Sequence, residues 1–269
     1  MDFVNKNWLV NGTDIIKGRE LGRGSFGVVY HGTLHGQEVA LKQIAASASP
    51  REKQMAATML QREVKTLSLC RHKNVIQLIG ACSDPPMLVL AFAPNGTLRD
   101  LLRLNTLLPS RTMELIHGVC DGMKMLHSKN ILHLDLKPEN VLIGADGTPL
   151  VADFGLSIAM SSTLTGGAGS TKGGRGTMQY KAPEHFAAEN DSADSDSDSD
   201  NATSERGETK TTSSIKYDKP ADVYSFGMMC WEMFSGKVPF AGKMDHQICT
   251  MHVRALDGAK VKRPKIQKV

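Results

Sequence analysis

Residues His133–Asn140 read HLDLKPEN, which sets Asp135, Lys137 and Asn140 on one short stretch at spacings of two and five positions. Downstream lies DFG, Asp153–Gly155. Upstream lie VALK, ending at Lys42, and GRGSFGVVY, whose Gly22, Gly24 and Gly27 form a G-x-G-x-x-G pattern. Glycines in that pattern let backbone amides approach phosphate oxygens because no side chain intervenes. A dinucleotide fingerprint would need a strand before these glycines and a helix after them. Here VVY and a second extended run follow, so the pattern reads as the turn of a hairpin.

Working outward, residues 19–44 read as strands: Val28–Tyr30, a turn through Leu34, His35 and Gly36, then EVALKQI, with β-branched residues beside turn signals. Ser49, Pro50 and Glu52 form a capping box with proline at the first helical position. Apolar residues at helical spacing then predict a helix over 50–69. VIQLIGAC and MLVLAFA, separated by SDPP, read as strand, turn and strand. From Thr97 the pattern becomes helical, with amphipathic stretches at 97–104 and 110–128. Residues 161–176 are rich in Gly, Ser and Thr, and residues 187–214 in Ser, Asp and Thr. Neither stretch can bury enough surface to offset its ordering entropy, so a mobile loop and a disordered acidic insertion are expected. No internal repeat is present.

A chain of 269 residues with 41% hydrophobic content can form a sizeable core. No apolar run approaches the roughly 18 residues that span a bilayer, and MDFVNKNWLVNGTD lacks the charged-then-apolar order of a signal peptide. The expectation is a soluble cytoplasmic protein without membrane insertion. Cys70, Cys82, Cys120, Cys230 and Cys249 show no C-x-x-C spacing and are odd in number. They read as buried reduced thiols, with disulfides or a zinc site as the alternatives. The formal charge of +4 hides an asymmetry: residues 187–209 carry eight acids against Arg206, a net −7, which leaves +11 on the remainder. A basic body suits nucleic acid, but equally a nucleotide and an anionic acceptor. Without a recognition helix or an aromatic-rich RNA motif, no nucleic-acid partner is expected, and the sequence leaves the oligomeric state open.

In their order and spacing the four motifs resemble the signature set of the protein kinases. The resemblance covers most of residues 15–240, extended by APE at Ala182–Glu184 and by DVYSFG, which contains Asp222. It implies an α+β, bilobal fold: a small antiparallel-sheet lobe with one helix at 15–93 and a larger helical lobe at 94–269. It also implies transfer of the γ-phosphoryl group of ATP, with Mg2+, to a protein hydroxyl. In the family arrangement Leu21, Gly22, Arg23, Gly24, Ser25, Phe26 and Gly27 lie over the phosphates. Val29 packs on the adenine, Ala40, Leu142 and the gatekeeper Leu90 complete the nucleotide site, and Ala91, Phe92 and Ala93 offer hinge backbone groups. Lys42 holds the α- and β-phosphates. Glu63, in LQREVKTL, is its expected partner, with Glu52 as the competing candidate.

The same resemblance gives Asp135 the acceptor hydroxyl, Lys137 the γ-phosphate, and Asn140 and Asp153 the metal. Leu67, Leu78, His133 and Phe154 would stack as a spine anchored by Asp222. Lys137 within DLKPEN, and Thr177 in GTMQYKAPE as a bridge between Asp135 and Lys137, point to serine/threonine acceptors, with tyrosine or dual specificity as the alternative. HKNVIQLIGAC and DVYSFGMMCWEMFSGKVPF are similar to the tyrosine-kinase-like group of serine/threonine kinases. A scaffold that keeps nucleotide binding without turnover is the rival reading.

Three features depart from the family. Leu134 replaces the arginine of H-R-D and cannot form charge-assisted hydrogen bonds to a phosphorylated loop, so activity is expected not to depend on that clamp. Glu184 and Asp222 are 38 positions apart, against about a dozen in the family, and a tract containing DSDSDSD fills the excess as a solvated spacer or an acidic docking element. The chain stops at KVKRPKIQKV, several tens of residues before the family's last helices. The expectation is a truncated large lobe in which a buried Glu184 lacks its arginine partner.

Overall fold

Alternation along two strands builds the first half of the molecule. β1 spans Ile15–Gly24, β2 Gly27–Leu34, β3 Gln37–Gln43, β4 Leu78–Ser83 and β5 Pro86–Ala91; together they form an antiparallel sheet in the order β1-β2-β3-β5-β4. Successive side chains leave a strand on opposite faces. Ala40, Leu88 and Leu90 therefore enter the main core, while Val39, Leu41, Met87 and Val89 pack in a second cluster on the other face. The β2–β3 turn holds His35 and Gly36 at φ 50 and 82, the left-handed pair that a tight hairpin requires. The computed structural model describes residues 8–24, 27–44, 49–159, 177–186 and 217–256. Ser25, Phe26, the 161–176 stretch and the acidic insertion lie outside them.

VIQLIGAC does not run as one strand. β4 starts only at Leu78; the Ile76 amide donates to the Val151 carbonyl at 2.9 Å and the Val151 amide to the Asn74 carbonyl at 2.9 Å. The first residues of that apolar run thus fasten the sheet to the helical half.

Helix α1 (Pro50–Leu67) starts as its sequence dictates: the Ser49 side chain accepts from the Glu52 amide, and the Ser49 amide donates to Glu52 Oε2 at 2.7 Å. Such a cap contributes about 1 kcal/mol. The helix buries Ala56, Leu60, Val64 and Leu67, spaced four, four and three apart on one face. It ends two residues before the predicted Leu69, because the Leu69 and Cys70 amides bond three residues back, to Thr66 and Leu67. That tightening turns Leu69 outward, 59% exposed.

The second half contains α2 (Leu98–Leu104), α3 (Pro109–Ser128), α4 (Lys219–Ser235) and α5 (Asp245–Leu256). Two short antiparallel pairs lie among them, β6 (Ile131–Leu132) with β9 (Ile158–Ala159) and β7 (Val141–Ile143) with β8 (Pro149–Val151). Gly122 lets α3 approach the 72–75 loop, since a Cβ there would lie 2.5 Å from the Asn74 carbonyl oxygen. Leu60, Val64 and Leu67 of α1 share one core cluster with Leu115 and Val119 of α3 and Met229 of α4, so both halves rest on continuous apolar packing. Among the described residues no helix is long and apolar enough to cross a membrane.

Two expectations need correction. Glu184 is exposed, not buried; its carboxylate is hydrated where it stands and needs no buried cationic partner. Cys70 and Cys82 are buried, but Cys120 is exposed and Cys230 and Cys249 are half-buried, because Cys120 falls on the solvent side of α3 between the core residues Val119 and Met123.

His252 of α5 is 1% exposed, stacks on Phe186 at 4.8 Å and meets Phe240 edge-on at 5.4 Å, with neither ring nitrogen hydrogen-bonded. Burial pulls its pKa below the ordinary value of 6.5. The unfolded chain therefore binds the extra proton first. Its contribution to stability is complete above about pH 6.5 and is lost as pH falls below it through the lowered folded pKa. The expected result is a melting temperature that drops between pH 7.5 and 5.5 in the wild type and drops less in His252→Phe. Parallel pH profiles for the two proteins would refute it.

Candidate active site

Lys42 on β3 faces the inner side of the sheet, opposite Leu88 of β5 and Val29 of β2. Its Nζ donates to Glu63 Oε2 of α1 at 2.7 Å and to Asp153 Oδ1 at 2.7 Å. The lysine side chain is 13% exposed and that of Glu63 1%. Burial opposes the ammonium, yet the Glu63 and Asp153 carboxylates outweigh it and hold the Lys42 pKa above its usual value. Burial raises the pKa of Glu63, against the pull of Lys42. Burial also opposes ionisation of Asp153, but Lys42 prevails and that pKa lies below the usual range. One cation thus ties strand, helix and DFG together. Glu52 is spent on the cap of α1, so Glu63 is the partner.

Asp135 collects four donors. Thr177 gives its amide and its hydroxyl to Oδ1 at 2.9 and 2.8 Å; Asn140 Nδ2 and Lys137 Nζ reach Oδ2 at 3.0 and 2.8 Å. Lys137 Nζ also donates to Thr177 Oγ1 at 2.6 Å, closing the triangle read from the sequence. Asn140 spends its amide hydrogens on the Asp135 carbonyl, at 2.7 Å, and carboxylate. Its carboxamide oxygen is left as an acceptor for a metal. The Ala152 amide donates to the Asn140 carbonyl at 2.9 Å, holding the residue before Asp153 beside the HLDLKPEN loop. Asp153 itself sits at φ 64, a left-handed conformation of the kind that concentrates at functional sites.

His133 is fully buried. The Asp135 amide donates to His133 Nδ1 at 3.3 Å, so the ring proton is on Nε2, which donates to the Ala152 carbonyl at 2.9 Å. The ring packs on Phe154 at 5.1 Å, and Phe154, Leu67 and Leu78 belong to one buried cluster. Asp222 of α4 accepts from the His133 and Leu134 amides at 2.9 and 2.8 Å and from His127 Nε2 at 2.8 Å. Leu134 is 8% exposed at φ 66. Its apolar side chain is packed away, and only its backbone serves the loop.

Val29, Ala91, Phe92 and Leu142 pack against the core cluster that contains Ala40 and Leu90. The Ala91 amide donates to the Gln77 carbonyl at 3.0 Å. Of the three hinge residues, this leaves the amides of Phe92 and Ala93 for a ligand. Leu21 is 37% exposed. Gly22, Arg23 and Gly24 end β1 opposite Val29, Val28 and Gly27, and Arg23 pairs with Glu20 at 3.2 Å.

One anchoring group escaped the sequence. Arg99 of α2 donates from Nε to Glu139 Oε1 at 2.7 Å, from Nη2 to the Tyr180 hydroxyl at 2.7 Å and from Nη1 to Glu232 of α4; the Tyr180 hydroxyl donates in turn to Glu232. Burial, then the hydrogen bond to Glu232, pushes the Tyr180 pKa up. The Tyr180 amide donates to the Thr177 carbonyl at 3.0 Å, so this network steadies the turn that carries Thr177.

The family described as "Protein kinase domain" matches residues 15–200, and "Protein tyrosine and serine/threonine kinase" matches residues 208–268. The chain belongs to the protein kinase family. Among its kinase relatives, "Serine/threonine-protein kinase STY46" of Arabidopsis thaliana is 32% identical over 244 residues, 87% of this chain and 35% of that protein. "Aurora kinase C" of Mus musculus is 31% identical over 242 residues, 88% of this chain and 75% of that protein. "Dual specificity protein kinase pyk3" of Dictyostelium discoideum is 29% identical over 225 residues, 83% of this chain. The chain spans 35% of the length of the first of these kinases and 13% to 22% of five others that it matches.

Proposed function

We propose that this kinase-family chain transfers the γ-phosphoryl group of ATP to serine or threonine hydroxyls of a protein substrate in the cytoplasm. The observation that carries the reading is the convergence of Lys42, Glu63 and Asp153 in one ion cluster, buried at Glu63 and open at Asp153, with Asp135, Lys137, Asn140 and Thr177 joined in a second group beside it. Phosphoryl transfer needs positioning and neutralisation of charge more than covalent participation by the protein. Lys42 would orient the α- and β-phosphates, and Lys137 would offset charge on the γ-phosphate. The donors on both oxygens of Asp135 hold its carboxylate in one orientation, ready to take the acceptor hydroxyl's proton.

The oxygens of Asn140 and Asp153 suit magnesium, a hard ion that keeps water and phosphate oxygens among its ligands. That ion would neutralise phosphate charge. Among the described residues no group of three or more His, Cys, Asp or Glu offers a competing metal cage. The apolar surface of Val29, Ala40, Leu90 and Leu142 suits an adenine ring, with the Phe92 and Ala93 amides at its edge. The Lys137–Thr177–Asp135 triangle supports a serine or threonine acceptor over tyrosine. Residues 15–93 and 94–269 are proposed as the two lobes of the domain.

Labelled ATP offered with generic serine, threonine and tyrosine acceptors tests the reading directly. Label on serine or threonine is the expected result; a nucleotide-dependent rise in melting temperature without any transfer selects the scaffold. Lys42→Met removes two charge-assisted hydrogen bonds, each contributing about 1.5–3 kcal/mol. It is expected to lower kcat/KM for ATP by about a hundredfold or more. An unchanged kcat/KM would remove Lys42 from the nucleotide site.

A further inference from the structure

Thr66 is 9% exposed and Ser157 is fully buried, and their hydroxyl oxygens lie 3.0 Å apart. Ser157 Oγ donates its one proton to the Phe154 carbonyl at 2.7 Å, so the Thr66 hydroxyl must donate to Ser157. A neutral bridge therefore runs from α1 through Ser157 to the residue that follows Asp153. It lies three residues beyond the charged bridge from Glu63 through Lys42 to Asp153, about 4.5 Å along the axis at 1.5 Å per residue. Arg62 Nη1 of α1 also reaches the Gly155 carbonyl at 3.4 Å, and attachments spread along one stretch of the helix fix its rotation where a single one would let it turn. Leu134 brings no cation to the loop, so a phosphate contact from that position is not available to orient α1.

We infer that Thr66 and Ser157 are positioning residues, a charge-neutral second latch that holds Glu63 against Lys42 and so keeps the site assembled without a phosphate on the downstream loop. This deepens the kinase reading and rests on it. Being uncharged, the latch acts independently of pH and salt, unlike an arginine–phosphate clamp.

The test compares Thr66→Val, which keeps the shape and removes the donor, with Thr66→Ser, which keeps the donor, and with Ser157→Ala. Each is assayed well below its melting temperature for kcat, for KM of ATP and of the acceptor, and for hydrogen exchange at residues 63–67 and 153–157. Thr66→Val and Ser157→Ala are expected to lower kcat about five- to 150-fold, the range for one buried hydrogen bond left unmade. KM for the acceptor should hold, exchange at both segments should quicken, and the double variant should be no worse than either single one. Thr66→Ser should restore both readouts. Wild-type kcat and exchange in Thr66→Val, or equal impairment of Thr66→Val and Thr66→Ser, would overturn the latch. Should the wild type transfer no phosphate, the kinase reading falls and the exchange comparison still decides the latch. If Thr66→Val does not fold, Thr66→Ser and Ser157→Ala carry the same comparison.

Discussion

Asp135→Asn is expected to lower kcat by about 10²- to 10⁴-fold, the range that a positioned acid–base group contributes, with KM for ATP little changed. The carboxylate accepts four hydrogen bonds and donates none. An amide in its place must turn an NH2 group toward either Thr177 or the Lys137–Asn140 side, where donors already point. One oxygen stays bonded, the other side loosens, and the group that receives the acceptor proton is gone. The melting temperature should fall as well, because the Asp135 side chain is only 10% exposed and the donors left facing the NH2 group have little water to turn to. Labelled transfer by purified wild-type and variant proteins, with ATP binding measured separately, checks this. A variant that keeps a tenth or more of wild-type kcat would show that the proton leaves by another route.

Much of this arrangement is readable from local pattern. The period-two alternation in VALKQI and PMLVLA sends Ala40, Leu88 and Leu90 inward, and the Ser49–Glu52 box starts α1 where its residues predict. The motifs that carry Lys42, Asp135, Asn140 and Asp153 are short because each uses one loop or strand end to aim a side chain. What the pattern could not supply are pairings whose partners are far apart in the chain. Arg99 meets Glu232 across 133 positions and Thr66 meets Ser157 across 91. Each looks alone like an ordinary surface polar residue on a helix or loop. Arg99 carried a faint signal, since an arginine between the core positions Leu98 and Leu101 on so short a helix is hard to keep in water. The early end of α1 was illegible for a related reason: Leu69 continues the apolar spacing, but the chain has to turn there for Val75 and Ile76 to reach β8. The exposed Glu184 shows that a family's ion pair cannot be read into a carboxylate without knowing its burial.

Asp222→Ala should destabilise the fold by about 3–5 kcal/mol, the range for removing one partner of a buried charged network. The side chain is buried and takes three donors: the amides of His133 and Leu134 and the ring of His127. Alanine leaves two buried amides without acceptors, each costing about 1–3 kcal/mol, at the point where Leu134 holds its left-handed turn. Asp222→Asn keeps one acceptor oxygen and should lose less than alanine. Burial opposes ionisation of Asp222, but the hydrogen bond from His127 and those from the loop amides hold its pKa below the usual carboxylate value. This contribution is therefore complete above the unfolded pKa of about 3.9 and is lost as pH falls through the lower folded value. Urea unfolding at pH 7 and at pH 3 separates the parts: the gap between wild type and Asp222→Ala should be widest at pH 7 and narrow in acid. A gap under about 1 kcal/mol at pH 7 would mean that the HLDLKPEN loop keeps its shape without α4, and the anchoring role would fail.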